Sequence, residues 1–573
     1  MDHPAPRNKT GGLLVLLATL LVITAPYQNL VHAQELKING TVILSDSNSP
    51  LVATNEYIGY EGGTGTLNQT GGTNSVATGV IIGGSYSTGT YDFSGGYLTI
   101  GSTSSGGWET IGNGGTGTFI QTGGSNNAYT VWVGNSYFDT SGTPVIGTGT
   151  FNLSGAGSLT VTASEAIGSG GTGVFTQGGG TNSASSLIIG DALVHLNPDN
   201  TSTTIKGHGT YNLNAGSLSL AQWETIGNGG TGIFNQTGGS NTANTLWVGT
   251  SYFDQSGTPV VGAGTFTLSA TGSLTVTASE TIGSGGTGVF NQEGGIHAVN
   301  SLTVGNDVIH VNPDGTTSTM KGTGTYNLSG GTLTVTNGIV NNGSFNYSGG
   351  DLNANLTNNG STTLSGSGTR TVNGDVINSG TFKVTGTNAV YTGSFTNNGA
   401  YISDPSTQHF VNLTVGSSGY LQGGLDDKWI ISGNFISTST SPDWNTALAD
   451  LEFDGTGPQL FSFIGDQTWN SLMIDQDSIL SLGLGGGTMG SLHLDIISGL
   501  KFDSSGLITN LHGTGVNIYY DAAANGDLYG KTFRLEGGGF LIAEAPASVP
   551  EPSTMLLLGS GLIGLVVARR RIR

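Results

Sequence analysis

Carboxylates are the first side chains in this sequence with chemistry to offer. Glu109, Glu165, Glu224 and Glu280 stand 56, 59 and 56 residues apart. Acids in line can hold Ca²⁺, and acids in pairs can carry general acid–base work on a glycosidic bond. The second use also needs a cation to serve as base or to stabilise charge. Residues 34–548 hold only nine lysines and arginines, scattered at low density. The acid pairs Asp426–Asp427 and Asp475/Asp477 have no histidine or arginine motif beside them. No catalytic residue is therefore assigned, and the chain is read as a non-enzyme. A polysaccharide-degrading β-helix enzyme is the rival that a groove with three carboxylates beside a lysine or arginine would revive. The four glutamates are expected to form a solvated acidic line, with which a structural Ca²⁺ is compatible.

The phrases His195-Leu196-Asn197-Pro198-Asp199 and His310-Val311-Asn312-Pro313-Asp314 offer two ligand types four residues apart. Two ligands do not make a site, and Asn-Pro-Asp is first of all a turn. No metal site and no cofactor are assigned. The chain has no cysteine, which excludes disulfides, thiolate catalysis and cysteine-based zinc sites. Aromatics are the remaining candidates. Trp132 and Trp247 occupy repeat-equivalent positions on the face opposite Val131/Val133 and Leu246/Val248, with Tyr137-Phe138 and Tyr252-Phe253 close behind. Exposed in a row, such rings could stack on sugars, because a flat ring offers apolar area with little entropy to lose. That is the alternative function: a carbohydrate-binding surface protein.

The elements that would position these residues come from a repeat. Glu109-Thr-Ile-Gly-Asn-Gly-Gly-Thr-Gly-Thr-Phe-Ile-Gln-Thr-Gly-Gly124 returns at Glu165, Glu224 and Glu280, with a looser copy from Ile58. The step from Trp108 to Trp223 is 115 residues, as is that from Glu165 to Glu280, so a two-unit block is duplicated. Each unit holds runs of three to five residues of period two between glycine-rich turns, and no helical period appears. One buried face per strand, repeated, describes strands stacking on their own copies. The expected fold is all-β: an elongated β-solenoid, a right-handed β-helix by the crossover rule, with a C-terminal β cap and a short hydrophobic C-terminal helix. Gln69, Gln121, Gln177, Gln236 and Gln292 each follow an apolar residue two places earlier. They should point inward, where a ladder of paired amides would satisfy them.

From Thr336 the phrase becomes Asn-Asn-Gly or Asn-Ser-Gly, at Asn341, Asn358, Asn378 and Asn397. These shorter rungs resemble, in style, the solenoids of autotransporter passengers and adhesins. Beyond His409 the period fades. The segments Val516–Asp521 and Gly537–Leu541 resemble a stretch found ahead of certain sorting tails, and a capping role is expected.

Both ends look removable. Arg7 and Lys9, an apolar core over 11–25 and a small-residue site before Gln34 read as a secretory signal peptide cut between Ala33 and Gln34. At the other end Val549-Pro550-Glu551-Pro552 leads into the apolar stretch Met555–Ala568 and then Arg569, Arg570, Arg571 and Arg573. Fourteen residues are short for a comfortable span, and the arginines form a stop that stays cytoplasmic. This tail is similar to the PEP-CTERM sorting signal of Gram-negative bacteria. The resemblance implies an exosortase-type membrane protease as partner, which recognises Pro-Glu-Pro and releases the chain from transient inner-membrane attachment to the cell surface or matrix. It also implies extracellular polysaccharide as a neighbour.

The domain reading is signal peptide 1–33, cap 34–57, glycine-rich solenoid 58–338, short-rung solenoid 339–409, irregular β cap 410–546 and sorting tail 547–573. The whole chain carries a net charge of −21. Residues 1–33 hold two basic and one acidic residue, and 549–573 four and one, so the part between keeps 9 basic and 34 acidic. Its net charge of −25 excludes nucleic acid as a partner. The function expected is an exported structural or adhesive protein of the cell surface or extracellular matrix.

Overall fold

The structure, a computed structural model, describes residues 15–17, 31–101, 106–199, 201–312, 315–484 and 490–544. It is all-β, with no α-helix among the described residues. The C-terminal helix expected over 555–568, the sorting residues and most of the signal peptide lie outside them. Two compact units divide the chain, Met1–Lys383 and Val384–Arg573.

In the first unit the chain visits three rows of strands in turn, and each strand pairs in parallel with its equivalents before and after. Thr116–Gln121 lies between Thr88–Phe93 and Thr148–Leu153, with Phe119 in register with Tyr91 and Phe151. Ser125–Ala128 aligns with Ser158–Ser169, and Thr130–Asn135 with Trp108–Asn113. Parallel stacking satisfies the backbone from one turn of the chain to the next. Period two then decides the faces. In Thr116–Gln121 the side chains of Phe119 and Gln121 are buried, while Thr116, Thr118 and Ile120 are more exposed.

The corners demand glycine. Gly112 has φ +73°, and a Cβ there would lie 2.0 Å from the carbonyl oxygen of Thr148. Gly117 sits across the same corner, where a Cβ would come within 2.2 Å of the Gly112 nitrogen and the Ile82 oxygen. An alanine at either place collides with backbone, which has no rotamer to move.

Because register is kept along this row from turn to turn, like side chains stack. A column of rings runs through Tyr91, Phe119, Phe151, Phe175, Tyr211, Phe234, Phe266, Phe290 and Tyr326, with centroids 4.6–4.9 Å apart. That is the spacing of neighbouring strands. Each fully buried ring adds about 1.5–3 kcal/mol of apolar burial.

The second unit also stacks parallel strands, although beyond His409 its sequence has lost the repeat. Trp429, Leu451, Leu472 and Ile497 stand in register through four successive strands. Trp429 and Trp469 are fully buried. Phe540–Glu544 pairs in parallel with Asn517–Asp521, and Phe533–Arg534 joins it antiparallel. A two-residue antiparallel strand blunts an edge that would otherwise invite pairing.

Candidate functional site

The glutamates are not on the surface. Glu56, Glu109, Glu165, Glu224 and Glu280 are 0–1% exposed, which corrects the solvated acidic line expected of them. Register explains why. Glu109 shares its strand and its parity with Ile111, and both face inward. Along their row the partners read Glu56, Val80, Glu109, Val131, Glu165, Leu187, Glu224, Leu246 and Glu280. Successive glutamates are therefore two strands apart, roughly 9–10 Å, too far for one Ca²⁺ with its short oxygen contacts to bridge. Among the described residues no three His, Asp or Glu side chains gather as a metal set.

Taking a turn of the chain to begin at this row, polar and apolar turns alternate. One turn buries Glu109, Gln121 and Asn126, and the next buries Val131, Leu153 and Leu159. The same holds for Glu165, Gln177 and Asn182 against Leu187, Leu213 and Leu218. The Asn Nδ2 donates to the Glu Oε2 at 2.9 Å in the pairs Asn74–Glu56, Asn126–Glu109, Asn182–Glu165 and Asn241–Glu224. In the fifth polar turn His297 replaces Asn, its Nε2 2.8 Å from Glu280. The other oxygen of each glutamate has no partner, nor does the Oδ1 of the four asparagines.

A carboxylate so placed has lost water and gained one donor. Burial pushes Glu56 and Glu165 up to about 7 and Glu109 and Glu224 up to about 8, against a pull from the asparagine amides. Repulsion from Glu165 and Glu56 adds to the shift of Glu109, and Glu280 adds to that of Glu224. Glu56, Glu109, Glu165 and Glu224 are thus held as neutral carboxylic acids at mildly acid pH, each with orphaned acceptors beside it.

The glutamines do point inward, but on alternate turns, so they cannot pair with one another. Gln121 Nε2 instead donates to the carbonyls of Gly124 at 3.2 Å and Ser158 at 3.0 Å. Their oxygens divide into two classes. The hydroxyls of Tyr91, Tyr211 and Tyr326, one turn on, donate to Gln69, Gln177 and Gln292 at 2.5–2.6 Å. Asn74 and Asn182 donate to the first two of these hydroxyls, and His297 Nδ1 lies 2.9 Å from the third. After Gln121 and Gln236 the equivalent rings are Phe151 and Phe266, and both glutamine oxygens are left without a partner.

The asparagines and His297 escaped the sequence reading, yet a signal was there. From Glu109 onward each follows its glutamate by 17 residues.

Trp132 and Trp247 are half-buried. They lie on one outward row but four strands apart, with Ala166, Ile188 and Thr225 between, roughly 19 Å. They make no continuous aromatic platform. Among the described residues four antiparallel hairpins leave the stack at repeat-equivalent places, two of them Tyr137–Phe138 with Pro144–Val145 and Leu193–Leu196 with Ser202–Ile205. His195 stacks on Phe138 and His310 on Phe253, each at 4.8 Å. Asp199 closes its turn by accepting from Thr201 N and Oγ1 at 3.0 and 2.6 Å. Between the second and third hairpins lies a cavity of about 370 Å³ lined in part by Leu196, Tyr252 and Phe253.

Asp427 is buried and accepts from the backbone nitrogens of Ser406 at 2.8 Å and Gly424 at 2.7 Å, which ties it to holding a turn. Ala33 and Gln34 fall inside the strand Val31–Leu44. Cutting there leaves the pairing of Glu35–Ile38 with Asn55–Ile58 intact. Among the described residues no helix is long and apolar enough to cross a membrane.

Residues 548–571 match the PEP-CTERM protein-sorting motif, which contains Val549, Pro550, Glu551, Pro552 and the arginines at 569–571. The chain is a PEP-CTERM protein: the motif marks an exported protein, sorted by exosortase from a membrane-anchored precursor. No curated protein and no solved structure matches the chain.

Proposed function

We propose that this chain is a structural, adhesive component of the cell surface or extracellular matrix, with a right-handed β-solenoid body that exosortase frees from its membrane anchor. The observation that carries the reading is the sorting motif at 548–571 joined to a body of stacked parallel strands. The repeated glutamates, glutamines and asparagines are buried in the core rather than offered to a substrate, which suits a scaffold and argues for a non-enzymatic role. Extracellular polysaccharide is the expected surrounding.

The test is mass spectrometry of the mature C-terminus together with fractionation of cells, surface and medium. The double variant Pro550→Ala, Glu551→Ala should leave the tail uncut and hold the protein in the membrane fraction. Processing and release equal to the parent chain would refute the sorting route.

A further inference from the structure

A second kind of site lies in the unit that lost the repeat. Between the segment 439–447 and the segment 464–468 is a cleft of about 470 Å³, within the range of small-molecule pockets. Its lining includes Thr440, Trp444, Asn445, Asp466, Gln467 and Thr468, and no lysine, arginine or histidine is among the lining residues.

Each feature narrows the ligand. The Trp444 indole is half-buried and lies parallel to the buried Phe435 ring at 6.5 Å. Its Nε1 already donates to Thr446 Oγ1 at 3.0 Å, and that hydroxyl donates to the Thr468 carbonyl at 2.7 Å. The ring is thus fixed between the two walls, and what it has left to offer is apolar surface. Gln467 is 5% exposed, lines the cleft, and its Oε1 has no hydrogen-bond partner. That oxygen is closed off on the strand face that also buries Trp469, so the polar side chains a hydroxyl-bearing ligand would meet in the cleft include Asp466 and Asn445. Asp466 accepts from Ser491 N and Oγ at 2.9 and 2.6 Å, which hold its carboxyl below the usual range. His493, whose Nε2 lies 2.9 Å from the same Ser491 hydroxyl, adds to that pull but does not line the cleft, so the lining offers an anion no cationic side chain. A lining this rich in hydroxyls and amides wastes an aliphatic ligand.

We propose that the cleft around Trp444 and Gln467 is a subsite for one unit of a neutral sugar chain. The apolar C–H face of the ring would lie against the indole, and ring hydroxyls would donate to the Asp466 carboxylate. This site is distinct from Trp132 and Trp247, and it does not rest on the sorting reading, since binding is measured on purified chain.

The test is calorimetric titration of the exported chain with cellohexaose, laminarihexaose, maltohexaose and a neutral mannan oligosaccharide, with choline as the cationic control. At least one oligosaccharide should bind. Trp444→Ala should weaken binding about tenfold, the loss of one ring contact. Thr440→Trp, which fills the cleft from an exposed position, should do the same if the first variant misfolds, and Trp132→Ala with Trp247→Ala should leave binding unchanged. The proposal falls if no oligosaccharide binds, if choline binds in their place, or if binding survives both cleft variants.

Discussion

Two stretches of the first unit bury polar side chains in the same kind of parallel stack and solve the problem differently. Between Asn341 and Asn378 every turn carries an asparagine in the same column. Asn341 Nδ2 donates to Asn358 Oδ1, and Asn358 Nδ2 to Asn378 Oδ1, each at 2.7 Å. Asn341 and Asn358 also reach the carbonyls of Ser361 and Thr381 at 2.8 and 2.9 Å. An amide both donates and accepts, so a column of them closes on itself without charge. In the glycine-rich stretch the polar residues come every second turn, separated by valine or leucine. They can bond only within their own turn, to a backbone carbonyl of the next turn or to a tyrosine there, and acceptors are left over. A neutral ladder is indifferent to pH, whereas Glu56, Glu109, Glu165 and Glu224 have to keep their protons.

The largest expected difference follows from that. The folded pKa of these glutamates lies above the unfolded value of about 4.5, reaching about 7 or 8. Their contribution is therefore complete below pH 4.5 and is lost as pH rises through the folded values. Each carboxyl should cost on the order of 3 kcal/mol at pH 9 relative to pH 4.5. Denaturant midpoints measured across that range should fall with rising pH, and Glu109→Gln with Glu224→Gln should flatten the fall. An unchanged slope in the double variant would break the comparison from the glutamate side.

Asn358→Ala probes the other side. It leaves the amide of Asn341 and the oxygen of Asn378 each short of a contact and should cost about 1–3 kcal/mol. Equilibrium unfolding should give the same loss at pH 5 and pH 8. A loss that grows with pH would mean that the ladder is coupled to ionisation after all.

A smaller effect compares turns within the glutamate row. Tyr211→Phe should orphan Gln177 Oε1, as Phe151 and Phe266 already orphan Gln121 and Gln236, and should cost about 1–2 kcal/mol. Phe266→Tyr supplies the missing hydroxyl and should stabilise by about 1 kcal/mol. Melting temperatures shifting in opposite directions would support the pairing of each glutamine with the ring one turn on. Shifts in the same direction would contradict it.

Much of this was legible. The repeat, the period-two strands and the inward glutamines all follow from spacing, because in-register stacking copies sequence spacing into space. The burial of Glu109 was legible too, through its parity with Ile111, but the general preference of carboxylates for water spoke against it. The alternation of Phe and Tyr inside the 115-residue block, Phe151 to Phe266, is visible in the chain, yet its meaning needs the neighbouring turn. The asparagine ladder is hidden in the sequence because Asn-Gly is first of all a turn signal. The first asparagine of each phrase lies inside and only the residues after it make the bend. The cleft at Trp444 carried no signal, since its two walls are about 20 residues apart in a stretch with no period.

The central claim is that Glu56, Glu109, Glu165 and Glu224 are protonated inside the folded chain, and infrared titration of the carboxylic-acid carbonyl band tests it most directly. The folded protein should keep that band above about pH 6.5, with loss of intensity centred between about 7 and 8. Glu109→Gln and Glu224→Gln should each remove part of it. A band that vanishes by pH 5.5, or one that neither variant reduces, would contradict the account.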